Sequence, residues 1–365
     1  MNNSCFYKDK KVLITGHTGF KGSWMCKVLE LLGAKVTGYA LEPPTNPSLF
    51  EMCNIQNGIS SIVGDIRNLE KLGKVFAQVK PEIVIHMAAQ PLVRESYYKT
   101  VDTYSINVMG TVNVMECVRN TPSVKSVINV TTDKVYMNKE CEWGYCEDDE
   151  LNGYDPYSNS KSCSELVTSC YKKSFFQGSN IAVSTARAGN VIGGGDFAID
   201  RIIPDCVRAV RDGRQIVIRN PYSIRPYQHV LEPVMAYLVI AEAQYGDKSY
   251  EGAYNIGPDE INCWTTESLV NLFCEKWMQR VGKKVEWINR NDGGPYEAGY
   301  LKLDCSRLKR TLSWKPCWSM EQAMEKIVEW SDAYLRNSDV ISCMEKQIKE
   351  YFLEMKKNMY NEGNT

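Results

Sequence analysis

Residues 11–22 read KVLITGHTGFKG, and their order decides the fold. Val12, Leu13 and Ile14 form an unbroken apolar run of strand length, the pattern of a strand covered on both faces. Gly16, Gly19 and Gly22 follow at once, and a helical pattern occupies residues 21–32 until Gly33 stops it. In a strand–turn–helix unit of this kind, Gly16 permits the tight turn and Gly19 lets backbone amides approach a pyrophosphate. Gly22 lets the helix pack closely on the strand. The helix N-terminus adds partial positive charge for the phosphates. The stretch therefore predicts a dinucleotide site made by Gly16, His17, Thr18, Gly19, Phe20, Lys21 and Gly22.

Outward from this unit, apolar strand-length runs alternate with amphipathic helical segments. Residues 35–40, 62–63, 83–86, 127–130 and 182–185 supply further strands. Such alternation predicts an α/β protein with a doubly wound parallel sheet of the Rossmann kind. Past Ala186 the alternation fades into segments rich in Arg, Pro, Gly and Tyr, with helical patterns at 204–211, 233–244, 265–280 and 320–335. We expect residues 1–186 to form the NAD-binding domain, with segments near 227–257 returning to it, residues 254–256 as an edge strand. Residues 187–335 are expected to form mainly a smaller mixed domain that binds substrate. Residues 336–365 form a charged amphipathic tail, expected to be a surface or subunit-contact helix.

Composition narrows the class. A net charge of −1 argues against a general nucleic-acid or anionic-membrane surface. No apolar run is long enough to cross a bilayer, and residues 1–11 are too polar for a signal-peptide core. The 14 cysteines are scattered without a CxxC pair, as expected of reduced thiols in a cytoplasmic protein. His17, His86 and His229 lie too far apart to suggest a metal, and none is expected.

Two further motifs carry chemistry. Tyr157-Ser158-Asn159-Ser160-Lys161 is a YxxxK pattern, whose spacing on a helix sets both side chains on one face. A nearby ammonium favours phenolate and would lower the tyrosine pKa, so that Tyr157 could act as a base. Thr132, Asp133 and Lys134 follow the apolar strand at 127–130, at the sheet edge where parallel α/β proteins bind ligands. Asp65 and Ile66 follow the third strand, where an adenine should lie. No acidic residue closes the second strand in the place that holds a ribose hydroxyl; Glu42 is a position or two late. NAD is thus only weakly favoured over NADP by the local residues.

With these motifs in this order, the chain resembles the extended short-chain dehydrogenases/reductases, and within them the CDP-glucose 4,6-dehydratase family. The resemblance is carried by TGHTGFKGSW, HMAAQPLVRESY, TTDKVY, GYDPYSNSK, RAGNVIGGGD, IRNPYSIRPYQHVLEP and YLKLDCSR, and it spans about residues 10–330. The Asp133-Lys134 pair is the narrowing element, because epimerases lack an acid–base pair there and dTDP-glucose dehydratases have Asp-Glu. The resemblance implies an NAD-dependent lyase that converts CDP-glucose to CDP-4-keto-6-deoxyglucose. In the implied cycle Tyr157 takes the C4 hydroxyl proton with Thr132 steadying the oxygen and Lys161 assisting. Lys134 removes the C5 proton, and Asp133 protonates the departing C6 oxygen. It further implies cofactor contacts from Ala88 and Ala89. Sugar-nucleotide contacts are implied for Gln90, Arg94, Ser96, Asn190, Arg219, Arg225, Tyr227 and His229, and a homo-oligomer is expected. Residues 135–138 depart from the family pattern and are expected to be packing neighbours. Two alternatives stand beside this reading: another sugar-nucleotide dehydratase or epimerase of the same fold, and a non-catalytic NAD-binding sensor.

Overall fold

The computed structural model describes residues 5–259, 262–290, 293–294 and 299–362; the last three residues of the tail lie outside them. Six strands run in parallel through the first half: β1 (Lys11–Thr15), β2 (Lys35–Ala40), β3 (Ser60–Val63), β4 (Ile83–His86), β5 (Ser126–Val130) and β6 (Ala182–Ala188). A seventh, Ala253–Ile256, joins beside β6, and the order across the sheet is Ala253–Ile256, β6, β5, β4, β1, β2, β3. The chain thus starts at β1, winds out to β3, and returns to lay β4 on the other side of β1. The strand order reverses there, and a crevice opens beyond the carboxyl ends of β1 and β4, which is where doubly wound sheets bind ligands.

Every residue of β4, β5 and β6 is buried, because helices cover both faces. Alternation within β1 shows the two layers. Val12 and Ile14 join a core with α1 (Phe20–Leu31) and the Leu231–Gly246 helix. Leu13 points the other way, into a core with the helices Leu69–Val79 and Gly110–Arg119. A separate, smaller core gathers Ile203, Ile216, Ile218, Phe273, Trp277 and Met324 beyond the sheet's carboxyl edge. Short two- and three-residue strand pairs, such as Ile216–Ile218 with Trp287–Asn289, brace this second layer above the crevice. Among the described residues no helix is long and apolar enough to cross a membrane.

The tail lies on the surface as an amphipathic helix with one face docked. Its helix, Val340–Glu362, buries Val340, Met344, Ile348 and Tyr351 in the same core as Val12 and Ile14. The apolar residues recur every three or four positions, so one stripe docks inward while the charged face stays in water. Amphipathicity alone could not say what would cover that stripe. The dock is closed by Glu232, whose buried carboxylate accepts the Tyr351 hydroxyl at 2.5 Å and the Trp318 amide at 2.9 Å.

Burial pushes the Glu232 carboxyl up from its ordinary 4.5 to about 7, although these hydrogen bonds pull it down. Between those two values the folded chain keeps a proton that the unfolded chain has released. Stability therefore falls as pH rises through that window. The expected loss is roughly 3 kcal/mol, at about 1.4 kcal/mol per pH unit. Urea unfolding of the wild type and of Glu232→Gln across the window measures it: the variant should lose this slope, and equal slopes would remove Glu232 as its source.

Candidate active site

The crevice is a cleft of about 1250 Å³, lined from the turns that follow β1 and β4 and the end of β5 below and from the second layer above. At one end lies the glycine loop. Gly16 takes φ +80°, and a Cβ there would stand 2.7 Å from the Ala88 amide nitrogen, so a side chain is excluded. At Gly22 a Cβ would meet the Gly16 carbonyl oxygen at 2.2 Å, which is why helix and turn can close on one another only through glycine. Gly19, by contrast, lines the cleft, where a Cβ would meet only the Gly16 carbonyl oxygen at an ordinary 3.5 Å, and serves as the N-cap of α1 without any side-chain cap. The first-turn amides of α1 are left for an outside acceptor, and no acidic residue competes for them. This cradle fits the pyrophosphate of a dinucleotide.

Thr18, Phe20 and Lys21 line the cleft, as do Asp65, Ile66, Ala88 and Ala89. His17 does not, and its placement among ligand contacts is corrected. Its ring tucks under Gly38 and pairs with the Ser61 hydroxyl at 2.7 Å, tying the loop to β2 and β3. Asp65 is engaged by Arg67 through the backbone amide at 2.8 Å and the guanidinium at 2.7 Å. Glu42, which the spacing put too late, lines the cleft beside Leu41.

The catalytic candidates converge at the cleft's middle. Asp155 caps the Pro156–Tyr171 helix by accepting the Ser158 amide at 2.9 Å, with Pro156 in the first turn. That start places Tyr157 and Lys161 one turn apart, both buried and both lining the cleft. The Lys161 ammonium donates to the Val130 carbonyl at 3.0 Å, fastening the helix to the end of β5. The Tyr157 phenol is not lowered as the motif alone suggested. Burial pushes it up to about 12, Thr132 and Arg201 pull it down, and Asp133 and Asp155 push it further up. Lys161 is itself brought down to about 8 by burial.

Beyond β5 the chain turns at Thr132. Lys134 lines the cleft, and its ammonium donates to Asp133 Oδ1 at 2.9 Å and to Asn190 Oδ1 at 3.2 Å. Asp133 is fully buried beneath the turn, and its Oδ1 also accepts the Thr132 hydroxyl at 2.9 Å. It does not itself line the cleft, and its Oδ2 is buried without a hydrogen-bond partner. Asp133–Val135 form one turn of 3-10 helix, whose successive side chains point about 120° apart, and here the lysine takes the open side.

Arg94, Asn190, Arg219, Arg225 and Tyr227 line the substrate end of the cleft. Arg219 is paired with Asp200, and the Tyr227 hydroxyl meets the Thr266 hydroxyl at 3.0 Å. Three expected contacts lie elsewhere. Gln90 turns inward, donating to Thr103 Oγ1 at 3.0 Å and to the Leu92 carbonyl at 3.1 Å. The Ser96 hydroxyl accepts the Tyr157 amide at 3.1 Å and so holds the first turn of the tyrosine's helix. His229 is buried edge-on between Trp24 and Trp318, its Nδ1 accepting the Leu231 amide. All three are buried, Gln90 and Ser96 with their polar groups serving neighbouring backbone or side chains, His229 with its Nε2 left unbonded.

The motif reading passed over Arg201 and took Tyr136 and Asn138 for packing neighbours; all three line the cleft. Arg201 is bonded to Asp196 at 2.9 Å and acts electrostatically on both Tyr157 and Lys21. A charged residue placed directly before the apolar helix Ile202–Asp212 was the available signal. Lys21 stands among Arg201, Lys161 and Lys134, and burial with those cations brings it down to about 7.

A dinucleotide cradle beside a buried tyrosine–lysine pair on one helix defines a short-chain dehydrogenase/reductase. Comparison with known proteins narrows the class. The family model described as GDP-mannose 4,6 dehydratase matches residues 13–327. The CDP-glucose 4,6-dehydratase of Salmonella typhimurium is 48% identical over 353 residues, which are 95% of this chain and 97% of that protein. A dTDP-D-glucose 4,6-dehydratase of Dictyostelium discoideum is 24% identical, over 90% of this chain and 83% of that one. The chain belongs to the sugar-nucleotide 4,6-dehydratase family, and its likeness to the CDP-glucose member extends over nearly its whole length. The fold is shared with solved structures. The dTDP-glucose 4,6-dehydratase of Bacillus anthracis in complex with NAD has a TM-score of 0.74 at 21% identity, over 91% of this chain and 99% of that one. The UDP-glucose 4-epimerase of Thermotoga maritima with UDP-glucose also gives 0.74 at 21%, over 89% and 99%.

Proposed function

We propose that this chain is an NAD-dependent hydro-lyase that removes water from CDP-glucose and leaves CDP-4-keto-6-deoxyglucose. The observation that carries the reading is the Lys134 amine, held in the cleft by Asp133 and Asn190 on the same turn that presents Thr132 to Tyr157. An epimerase has no need of such a group. The segments at 1–186, with the returning strand and helix, hold the cofactor in this reading, and 187–335 mainly hold the sugar nucleotide. Gly16 to Gly22 would hold the pyrophosphate, Asp65 and Ile66 the adenine side, and Ala88 and Ala89 the wall between. When bound, NAD supplies the acceptor for the C4 hydride, the donor to C6, and a positive charge beside the phenol.

The chain's own groups move the protons. Tyr157 Oη takes the proton of the C4 hydroxyl, and Thr132 Oγ1 orients that oxygen. Lys161 fixes the helix and contributes positive charge near the phenolate. The C4 ketone acidifies C5, and Lys134 Nζ, in its neutral amine form, takes the C5 proton. As the C6–oxygen bond breaks, the ammonium so formed returns the proton to the leaving oxygen, giving water; a solvent proton relayed by Lys134 then restores the C5–H bond, and Tyr157 gives up the proton it took. Asp133, one hydrogen bond behind, steadies the ammonium between these steps. Arg219 and Arg225 take the diphosphate, with Arg94, Asn190 and Tyr227 around the sugar and base.

Two expectations remain part of the proposal: a cytoplasmic location, from the cysteine usage and the polar residues 1–11, and a homo-oligomeric state, from the family resemblance. The test of function is incubation with CDP-, dTDP-, UDP- and GDP-hexoses, with and without NAD, followed by identification of products. A 4-keto-6-deoxy product from CDP-glucose is expected. A C4 epimer alone would remove the role given to Lys134, and turnover of another nucleotide in its place would reassign the substrate.

A further inference from the structure

Behind the catalytic turn lies a buried ion pair that touches neither the cleft nor the solvent. The Glu165 and Arg187 side chains are 3% and 4% exposed and meet through two bonds, Nε to Oε1 at 3.0 Å and an Nη to Oε2 at 2.9 Å. A buried pair is a weak source of stability, since desolvation offsets most of the attraction. Its connections are more informative. The Thr131 hydroxyl donates to Glu165 Oε1 at 2.5 Å, at the near end of the turn. The other Nη of Arg187 donates to the Tyr136 hydroxyl at 2.9 Å and to the Glu147 carbonyl at 2.8 Å, at the far end. Tyr136 is fixed in addition by Asn255, on the sheet's edge strand, at 2.5 Å. Thr132, Asp133 and Lys134 lie between these two anchors.

Glu165 also sits one helical turn beyond Lys161, whose ammonium holds the Val130 carbonyl just before Thr131. Strand end, tyrosine helix and the turn that bears Lys134 are therefore referenced to one carboxylate–guanidinium unit.

We infer that Glu165 and Arg187 are positioning residues for the elimination: by holding Thr131 and Tyr136 they set where Thr132 and Lys134 stand relative to Tyr157. The inference rests on the dehydratase reading above and adds residues that act only through others. A group that fixes the geometry of a reacting amine changes the rate at saturation more than it changes binding.

The test uses the full chain and three variants. Thr131→Val and Tyr136→Phe remove one anchor each and leave both charges paired, and Arg187→Lys keeps the charge but loses the fork. With CDP-glucose, kcat is expected to fall about tenfold in each hydroxyl variant and about 100-fold in Arg187→Lys. KM should stay within about two-fold. Amide hydrogen exchange of residues 131–136 should quicken in every variant. Unchanged kcat in both hydroxyl variants, or a rise in KM with kcat intact, overturns the inference; so does unchanged exchange at 131–136. Thr131→Val and Tyr136→Phe decide the matter even where Arg187→Lys does not fold. A wild-type chain that dehydrates nothing would count against the function, and the exchange measurement would still judge the anchors.

Discussion

Tyr157→Phe is expected to form 4-keto-6-deoxy product about 10²–10⁴-fold more slowly than the wild type, the range that loss of a placed general base produces. The ring is buried, and phenylalanine keeps its packing, so the change isolates one oxygen. That oxygen is held protonated by burial, and Thr132 and Arg201 work against this. Sugar-nucleotide affinity, measured by calorimetry, should change by less than about threefold, because the loss belongs to the reacting step. An unchanged rate would exclude the phenol as base.

Lys134→Met should stop the elimination while sparing binding. Methionine keeps most of the stem and removes the amine that bridges Asp133 and Asn190. Dehydrated product is expected to fall at least ~10³-fold, and incorporation of solvent deuterium at C5 should disappear with it. One complication is physical. The substitution strands the buried Asp133 carboxylate with Thr132 as its remaining bonded side chain, and an unpaired buried charge destabilises by about 3–5 kcal/mol. The double variant Asp133→Asn, Lys134→Met removes the charge. It should recover the melting temperature without recovering turnover. If the double variant regained activity, stability and not proton transfer would explain the lysine.

The sheet was legible because its strands are apolar on both faces, and that pattern survives in a single sequence. The glycine loop and YxxxK were legible for a related reason, since each is a short-range spacing with a mechanical meaning. What escaped was decided by partners far apart in the chain. Nothing near Asp133 says that it turns inward while its neighbour turns out. Ser96 looked like a ligand contact and proved to anchor a helix 61 residues away. Arg187 did leave a trace, as a charge inside an otherwise uncharged strand, and such a residue must find a counter-charge. Its sequence does not name Glu165 as that partner. The tail's stripe was visible, and its destination was not.

Because Val12 and Tyr351 share one core, the first strand made by the ribosome waits for the last of the described helices. At about 5–20 residues per second, an early unit of this chain spends tens of seconds without its final cover. Nascent chains stalled before residue 340 should be open to protease at the sheet face that the tail later seals. Purification tags set directly after Tyr351 would burden assembly of the molecule more than tags at its beginning.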